Sequence, residues 1–456
     1  MDELLLIGNN VALLVAAIEL ERRGRRPTLI TDGKPLGGHF AGARIGEARF
    51  DVGMVQLEKI APTAARAQLA TYDPRQRNDW TRFADRAAAW LDACEPLVRA
   101  PTPQCLVEGR WVPDYLIANR LDGFRDLQAE APPPMGRDDP RHASHKTTGA
   151  LYERLSYADA ACANHGDALH ARLIEPFIRK LTGHGSDVLL ARYHRAAWAP
   201  LYYPETLAAA MRGEATGIDE YPFWTNRTGC VGDLVARLCD RVSGSGRVRV
   251  VTEPLSSLLA AEGRWCVTTP SGHMTSDRIA LGLTAERARA LLGLAPLPAP
   301  LAASVVVMFC LVRSEAIRRH TSCLMVVDEA FATYRLTDQD ALAGRDPAWH
   351  RVVVEASPDS LLHLANGEEP QDVLLRELHQ LLSLAGNDAV QVLKTMTARN
   401  ALALPTADEV DRCAAAHEEL AAVAPGAQLT GGLLGYGAMS MNDQIIQGLK
   451  MAEEFE

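Results

Sequence analysis

The first thirty residues constrain the fold more than any other stretch of the chain. "ELLLIG" (3–8) is a short apolar strand ending on Gly8, and "VALLVAAIELERRG" (11–24) carries a helical apolar period that closes on Gly24. "RPTLITD" (26–32) reads as a second strand. A strand, a helix and a strand in so few residues must cross over right-handed, so both strands lie parallel in one sheet and the chain falls in the α/β class. The connecting turn "GNNVAL" (8–13) stands where a helix N-terminus turns main-chain N–H groups and the positive end of its dipole toward an anion. In dinucleotide turns three glycines divide the work: one allows the tight turn, one lets phosphate approach, and one lets helix and strand pack closely. Gly8 keeps the first role, with Asn9 beside it, whereas Asn10 is expected to put a side chain against the phosphate and Leu13 to widen the helix–strand contact. Asn is the mildest replacement in such a turn, because it tolerates left-handed angles and can donate a hydrogen bond. The acid that should meet a ribose hydroxyl is also displaced: Thr31 ends the strand and Asp32 follows one step later, on the other face. Taken alone, the stretch suits either a nucleotide site or a plain βαβ unit.

The remaining chain supports a large two-domain protein. Its 456 residues, 47% of them hydrophobic, can bury a sizeable core. A net charge of −10 supplies no basic field for nucleic acid, so a small-molecule substrate is expected rather than a polynucleotide. The nine cysteines show no Cys-x-x-Cys spacing, so neither a disulfide framework nor a metal site is expected, and a cytoplasmic setting is. The apolar run "APLAASVVVMFCLV" (299–312) is short for a membrane span and reads as a buried strand. Residues 60–130 read as mostly helical, 130–146 as a Pro- and charge-rich loop, and 247–283 and 304–357 as strands. His142 and His145 in that loop lack carboxylate partners at ligand spacing and read as solvated. Tyr193, His194, Trp198, Tyr202 and Tyr203 form an aromatic cluster that suits a hinge core or a sugar-binding wall. Neither a Gly-x-Ser-x-Gly elbow nor a phosphate-binding Walker loop is present.

"GKPLGGHFAGARIGEARFDVGM" (33–54) resembles the second flavin fingerprint of the superfamily that includes amine oxidases, protoporphyrinogen oxidase, phytoene desaturase and UDP-galactopyranose mutase. The matching residues are Gly37, Gly38, Asp51 and Gly53. The resemblance extends through "VRVVTEPLSSLL", where Leu255 matches the residue that flanks the adenine. It ends at "LTGGLLGYGAMSMNDQIIQGLKMAEEF", where Gly431, Met441 and Asn442 match the motif opening the last helix. It implies a discontinuous flavin-type Rossmann domain from residues 1–58, 215–290 and 395–456, with an inserted α+β substrate domain from 59–214 and 291–394. It also implies FAD, held by Gly8, Asn9, Asn10, Thr31, Asp32, Gly37, Gly38, His39, Gly53, Met54, Leu255, Gly431, Met441 and Asn442.

Several positions depart from the superfamily pattern: Asn10, Leu13, Thr31, His39, Gly432 and Asn442 replace its usual glycines, acids and arginines. Met54 is expected to line the flavin or to be a core residue, and His39 to touch the cofactor. The resemblance implies an FAD-dependent oxidoreductase that takes hydride from a small molecule, with specialised metabolism as its expected setting. Two alternatives stay open: a mutase-like isomerase, and a catalytically silent flavoprotein-like subunit that binds a partner or ligand. For the protein itself, a homodimer or a partner enzyme is the assembly expected.

Overall fold

A computed structural model of the chain describes residues 4–59, 77–113, 152–193, 223–261, 263–386 and 388–455. The loop 130–146 with its histidines, and His194, Trp198, Tyr202 and Tyr203, lie outside the described residues.

Strand β1 (Leu4–Gly8) runs into α1 (Val11–Arg22) and β2 (Pro27–Ile30), as the apolar period requires. β10 (Arg249–Val251), β14 (Arg278–Gly282) and β20 (Gln428–Leu429) complete a parallel sheet in the order β10-β2-β1-β14-β20. Between β10 and β14 the chain forms an antiparallel meander, β11 (Ser257–Ala261), β12 (Arg264–Thr269) and β13 (Gly272–Ser276). "RVRVVTEPLSSLL", expected to be strand throughout, is thus two strands in two sheets, separated at Glu253 and Pro254.

One face of the parallel sheet is covered by helices. Leu13, Leu14 and Ile18 of α1 pack with Phe83 and Leu91 of α2 (Arg77–Cys94), Leu234 of α4 (Val231–Ser243), and Ile445 and Leu449 of α8 (Met441–Glu454). All are essentially without solvent exposure, and each such side chain contributes about 1.5–3 kcal/mol of burial. Leu13 is therefore a core residue. Gly448 of α8 lets that helix close on α1, because a Cβ there would lie 2.5 Å from the Ala12 carbonyl oxygen.

A second sheet of seven strands runs β19-β15-β18-β17-β16-β7-β8. Its members are β7 (Gln104–Val107), β8 (Arg110–Pro113), β15 (Ala302–Arg313), β16 (Cys323–Val326), β17 (Thr333–Asp338), β18 (Trp349–Ala356) and β19 (Val390–Ala403). Helix α3 (Glu175–Thr182) packs Phe177 and Ile178 on one side of it, and α6 (Pro370–Leu381) packs Leu374 and Leu378 on the other. The run 299–312 is the buried strand expected of it. Within the described part of the 60–130 reading, α2 is the helix expected, but 97–113 is not helical: β7 and β8 form a hairpin turned at Glu108 and Gly109, both with positive φ, and join this sheet; 60–76 and 114–130 lie outside the described residues. β19 pairs along its length with β15, so the segment expected to re-enter the Rossmann domain at 395 first completes the second sheet.

Two small units bridge the sheets. β3 (Ala43–Ile45) and β4 (Ala48–Phe50) form a hairpin, and β5 (Leu57–Glu58), β6 (Leu97–Arg99) and β9 (Phe223–Asn226) a three-stranded sheet. Helices α5 (Ala285–Leu291) and α7 (Ala407–Val423) flank the parallel sheet near β14 and β20. No helix among the described residues is long and apolar enough to cross a membrane.

Candidate cofactor site

The carboxyl ends of the parallel strands gather most of the residues singled out by sequence, at the edge where ligands bind in open α/β sheets. Gly8 has φ +132°, and a Cβ on it would lie 2.3 Å from the Gly282 carbonyl oxygen, so β1 and β14 can pair here only through glycine. Asn10 does not aim its side chain at an incoming phosphate, as expected, but folds it inward. Its Oδ1 accepts from the Leu13 N–H (3.1 Å), capping α1, and its Nδ2 donates to Thr430 Oγ1 (3.0 Å). The space for the carboxamide exists because Gly282 and Gly431 lack side chains. The Val11 N–H donates to Oε1 of Gln444 on α8 (3.0 Å). Two of the three amides in the first turn of α1 are therefore held by the chain's own side chains. The main-chain N–H groups of Asn10 and Ala12 carry no hydrogen bond among the described residues. The Asn9 carboxamide donates to the Pro35 carbonyl (2.7 Å), fastening the turn to the next loop.

At the end of β2, one step past the Ile7–Ile30 pair, Thr31 stands opposite Gly8. Its hydroxyl is buried and has no hydrogen-bond partner among the described residues, an uncompensated polar atom at the position where a ribose is expected. Asp32 turns away, with φ +56°. Arg287 of α5 grips it bidentately, Nε to Oδ2 at 2.7 Å and Nη2 to Oδ1 at 2.8 Å, and the Leu255 N–H adds a third bond at 2.7 Å. Burial pushes the Asp32 carboxyl upward, but these donors bring it below its ordinary value. Arg287 also donates to the Leu255 carbonyl (2.6 Å), so Leu255 is locked by its main chain while its side chain lies in the core beneath the sheet. Asp32 is thus committed to a protein partner, and the orphan hydroxyl on this strand end is that of Thr31.

Gly37 and Gly38, at φ +92° and +57°, fold the following loop between α4 and the β1–α1 turn. A Cβ on Gly37 would strike Val235 at 2.5 Å, and one on Gly38 would touch Asn10 Cα at 3.5 Å. His39 is exposed, its ring edge-on to Phe40 at 5.4 Å. Asp51 is fully engaged elsewhere: it accepts from the Val231 and Gly232 N–H groups (2.7 and 2.8 Å) and from the Cys230 thiol, capping α4. Burial raises its carboxyl to about 6, against those donors. Gly53 is one of the residues that the resemblance assigns to the cofactor. The space beside it holds a guanidinium instead: a Cβ would lie 3.0 Å from Nη2 of Arg335, which forms a buried pair with Glu355 at 2.6 and 2.8 Å. Met54 lies in the core with Tyr334 and Leu404.

The C-terminal motif reaches the same edge. The Gly431 N–H donates to Gln447 Oε1 (2.8 Å), and Ser440 and Asp443 form a capping box on α8. Met441 is buried against α1. Asn442 pairs with the main chain of Glu58, accepting at 2.9 Å and donating at 2.6 Å, which binds α8 to β5. Sequence reading missed Gln444, Gln447, Thr430 and Arg287. The only signal for Gln444 was a polar residue on the Met441–Ile445–Gly448 face of an otherwise apolar helix side.

The sequence resemblance implies a flavin nucleotide, and the backbone of this edge suits one. Gly8 and Gly38 bring main chain close to the groove; among the described residues the Asn10 and Ala12 amides have no acceptor and the buried Thr31 hydroxyl has no partner. The side chains are the departure: Asn10, Gln444 and the Asp32–Arg287 pair satisfy groups that a nucleotide would otherwise meet. Two clefts are described, one of about 460 Å³ around Arg49, Asp233 and Arg351 and a small one around Cys413 and His417; neither is lined by a residue expected to hold the cofactor.

No protein-family model matches the chain, and no curated protein matches it. Solved structures do match over its full length. It is similar to a reduced UDP-galactopyranose mutase, at 14% identity and a TM-score of 0.66, covering 100% of this chain and 95% of that one. It is similar to a candidate protoporphyrinogen oxidase from Exiguobacterium sp. 255-15, at 19% identity and a TM-score of 0.64, covering 100% and 98%. Cyclohexylamine oxidase from Brevibacterium oxydans IH-35A aligns at 13% identity and a TM-score of 0.53, covering 100% and 99%. In fold, the chain stands with the protoporphyrinogen oxidase, UDP-galactopyranose mutase and amine oxidase structures.

Proposed function

We propose that the protein is an FAD-dependent oxidoreductase of the amine oxidase-like superfamily, acting on a small molecule. The observation that carries this reading is the carboxyl edge of the parallel sheet, where the Asn10 and Ala12 amides and the buried Thr31 hydroxyl await partners beside the β1–α1 turn. A fold shared with a cyclohexylamine oxidase and with a putrescine oxidase solved bound to putrescine supports it.

When bound, FAD supplies the redox chemistry, accepting hydride from a substrate C–H bond, such as the one beside an amine nitrogen whose C–N bond becomes C=N. The chain's part is to bind and orient. The Asn10 and Ala12 amides with the α1 dipole would hold the pyrophosphate, Thr31 would meet the ribose, and the Gly37–Gly38 turn would let main chain approach the nucleotide. Met441 at the head of α8 and the Asn442–Glu58 link hold the last helix against the groove. Substrate lies between the parallel-sheet domain and the seven-stranded sheet, where such folds place their ligands.

A second reading, a catalytically silent subunit on the same scaffold, is favoured by the internal bonds of Asn10, Gln444 and Asp32. Reconstitution with FAD followed by gel filtration separates the two. The first reading predicts visible flavin absorption that travels with the protein and bleaches on adding a reducing amine substrate; the second predicts a colourless protein peak.

A further inference from the structure

Gln444 is 7% exposed, sits in the first turn of α8, and reaches across to a different helix. Its carboxamide oxygen takes the Val11 N–H, and its Nε2 donates to the Met439 carbonyl at 3.1 Å, so both ends of the side chain are fixed. The acceptor it supplies lies at the N-terminus of a 12-residue helix following a glycine turn at a parallel-sheet edge, the position at which a diphosphate is ordinarily held. An independent feature marks the same edge for a ligand: the Thr31 hydroxyl, 1% exposed and without a partner, on the adjacent strand end.

We propose that Gln444 is a built-in competitor for the cofactor: its carboxamide oxygen stands in for a phosphate oxygen on α1, and FAD binds at the cost of displacing it. The inference rests on the FAD reading above and adds to it a residue that sets affinity. A neutral carboxamide is a weaker partner for a helix N-terminus than a diphosphate, because the charge of the diphosphate is stabilised by the dipole and by charge-assisted hydrogen bonds. The exchange therefore runs toward FAD, but with one hydrogen bond of its gain already spent inside the protein.

The test is a pair of substitutions with opposite expected signs, read as the dissociation constant for FAD by calorimetry on the full chain. Gln444→Ala frees the Val11 N–H and tightens FAD about five- to tenfold, the worth of one hydrogen bond. Gln444→Glu keeps the shape and the contact, strengthens the cap with a charge, and repels the diphosphate, so FAD weakens by at least a similar factor. A purely structural role predicts weaker binding for both or no change in either. Binding by wild type with Gln444→Ala equal or weaker overturns the competitor role and leaves the FAD reading standing. Absence of binding by wild type and both variants overturns the FAD reading and the inference with it. If Gln444→Ala is unfolded by circular dichroism, the shape-preserving Gln444→Glu decides: unchanged or tighter FAD refutes the competitor role.

Discussion

Replacing Arg287 with Ala tests the reading that Asp32 is a structural acid rather than a ribose contact. The substitution removes three hydrogen bonds: two to the Asp32 carboxylate and one to the Leu255 carbonyl. It leaves a carboxylate whose side chain is 4% exposed with the Leu255 N–H as its remaining partner. Stripping the partner from a fully buried ion pair costs about 3–5 kcal/mol. The Arg287 side chain is 34% exposed, so water replaces part of what is lost and the expected cost falls to about 2 kcal/mol. The sign with pH follows from the carboxyl of Asp32, which lies below its ordinary value of 3.8 in the folded chain. A depressed acid stabilises the fold above its unfolded value and loses that contribution as pH falls through the folded one. The gap between wild type and Arg287→Ala should therefore be full at neutral pH and shrink as the solution is acidified below about pH 3.8. Urea unfolding of both proteins across that range, followed by circular dichroism, measures it. Equal stability at neutral pH, or a gap that does not narrow with acid, refutes the reasoning.

His350 gives a pH dependence of the opposite kind. Burial opposes its charge, but Asp338 at 2.7 Å and Asp346 at 3.0 Å raise its value from 6.5 to about 9. Its contribution is complete below the unfolded value of 6.5 and is lost as pH rises through about 9, so the urea midpoint of wild type should fall across that window and that of His350→Gln should not. Gly8→Ala places a methyl 2.3 Å from the Gly282 carbonyl oxygen, on a backbone with φ +132°. Neither strand can yield without breaking the β1–β14 ladder, so loss of soluble, cooperatively unfolding protein is expected, read from its thermal transition.

The elements set by local physics were legible in the chain. The period of "VALLVAAIELER" and the glycine before it define α1, and the apolar run at 302–313 defines β15, because burial pattern alone decides both. The glycines at 8, 37 and 38 were equally readable, since each turn needs a left-handed backbone. Side-chain partners distant in sequence were not. Asn10 was expected to face a phosphate, yet Thr430 and Gln444, more than four hundred residues away, decide what occupies the turn. Asp32 was an open question because its face depends on a single φ, and Arg287, which claims it, belongs to another helix. Sheet membership was hidden for the same reason: β7, β8 and β19 carry ordinary strand patterns, but only their pairing with β16 and β15 shows which sheet they complete.

The proposal stands or falls on whether this edge of the sheet holds a flavin nucleotide through main-chain amides, with Asn10 and Asp32 engaged as they are and Gln444 displaced from the Val11 N–H. The direct measurement is the cofactor content of protein incubated with excess FAD and then desalted, by visible absorption and by identification of the released nucleotide. The account predicts a yellow protein carrying close to one FAD per chain. A colourless protein that releases no flavin contradicts it.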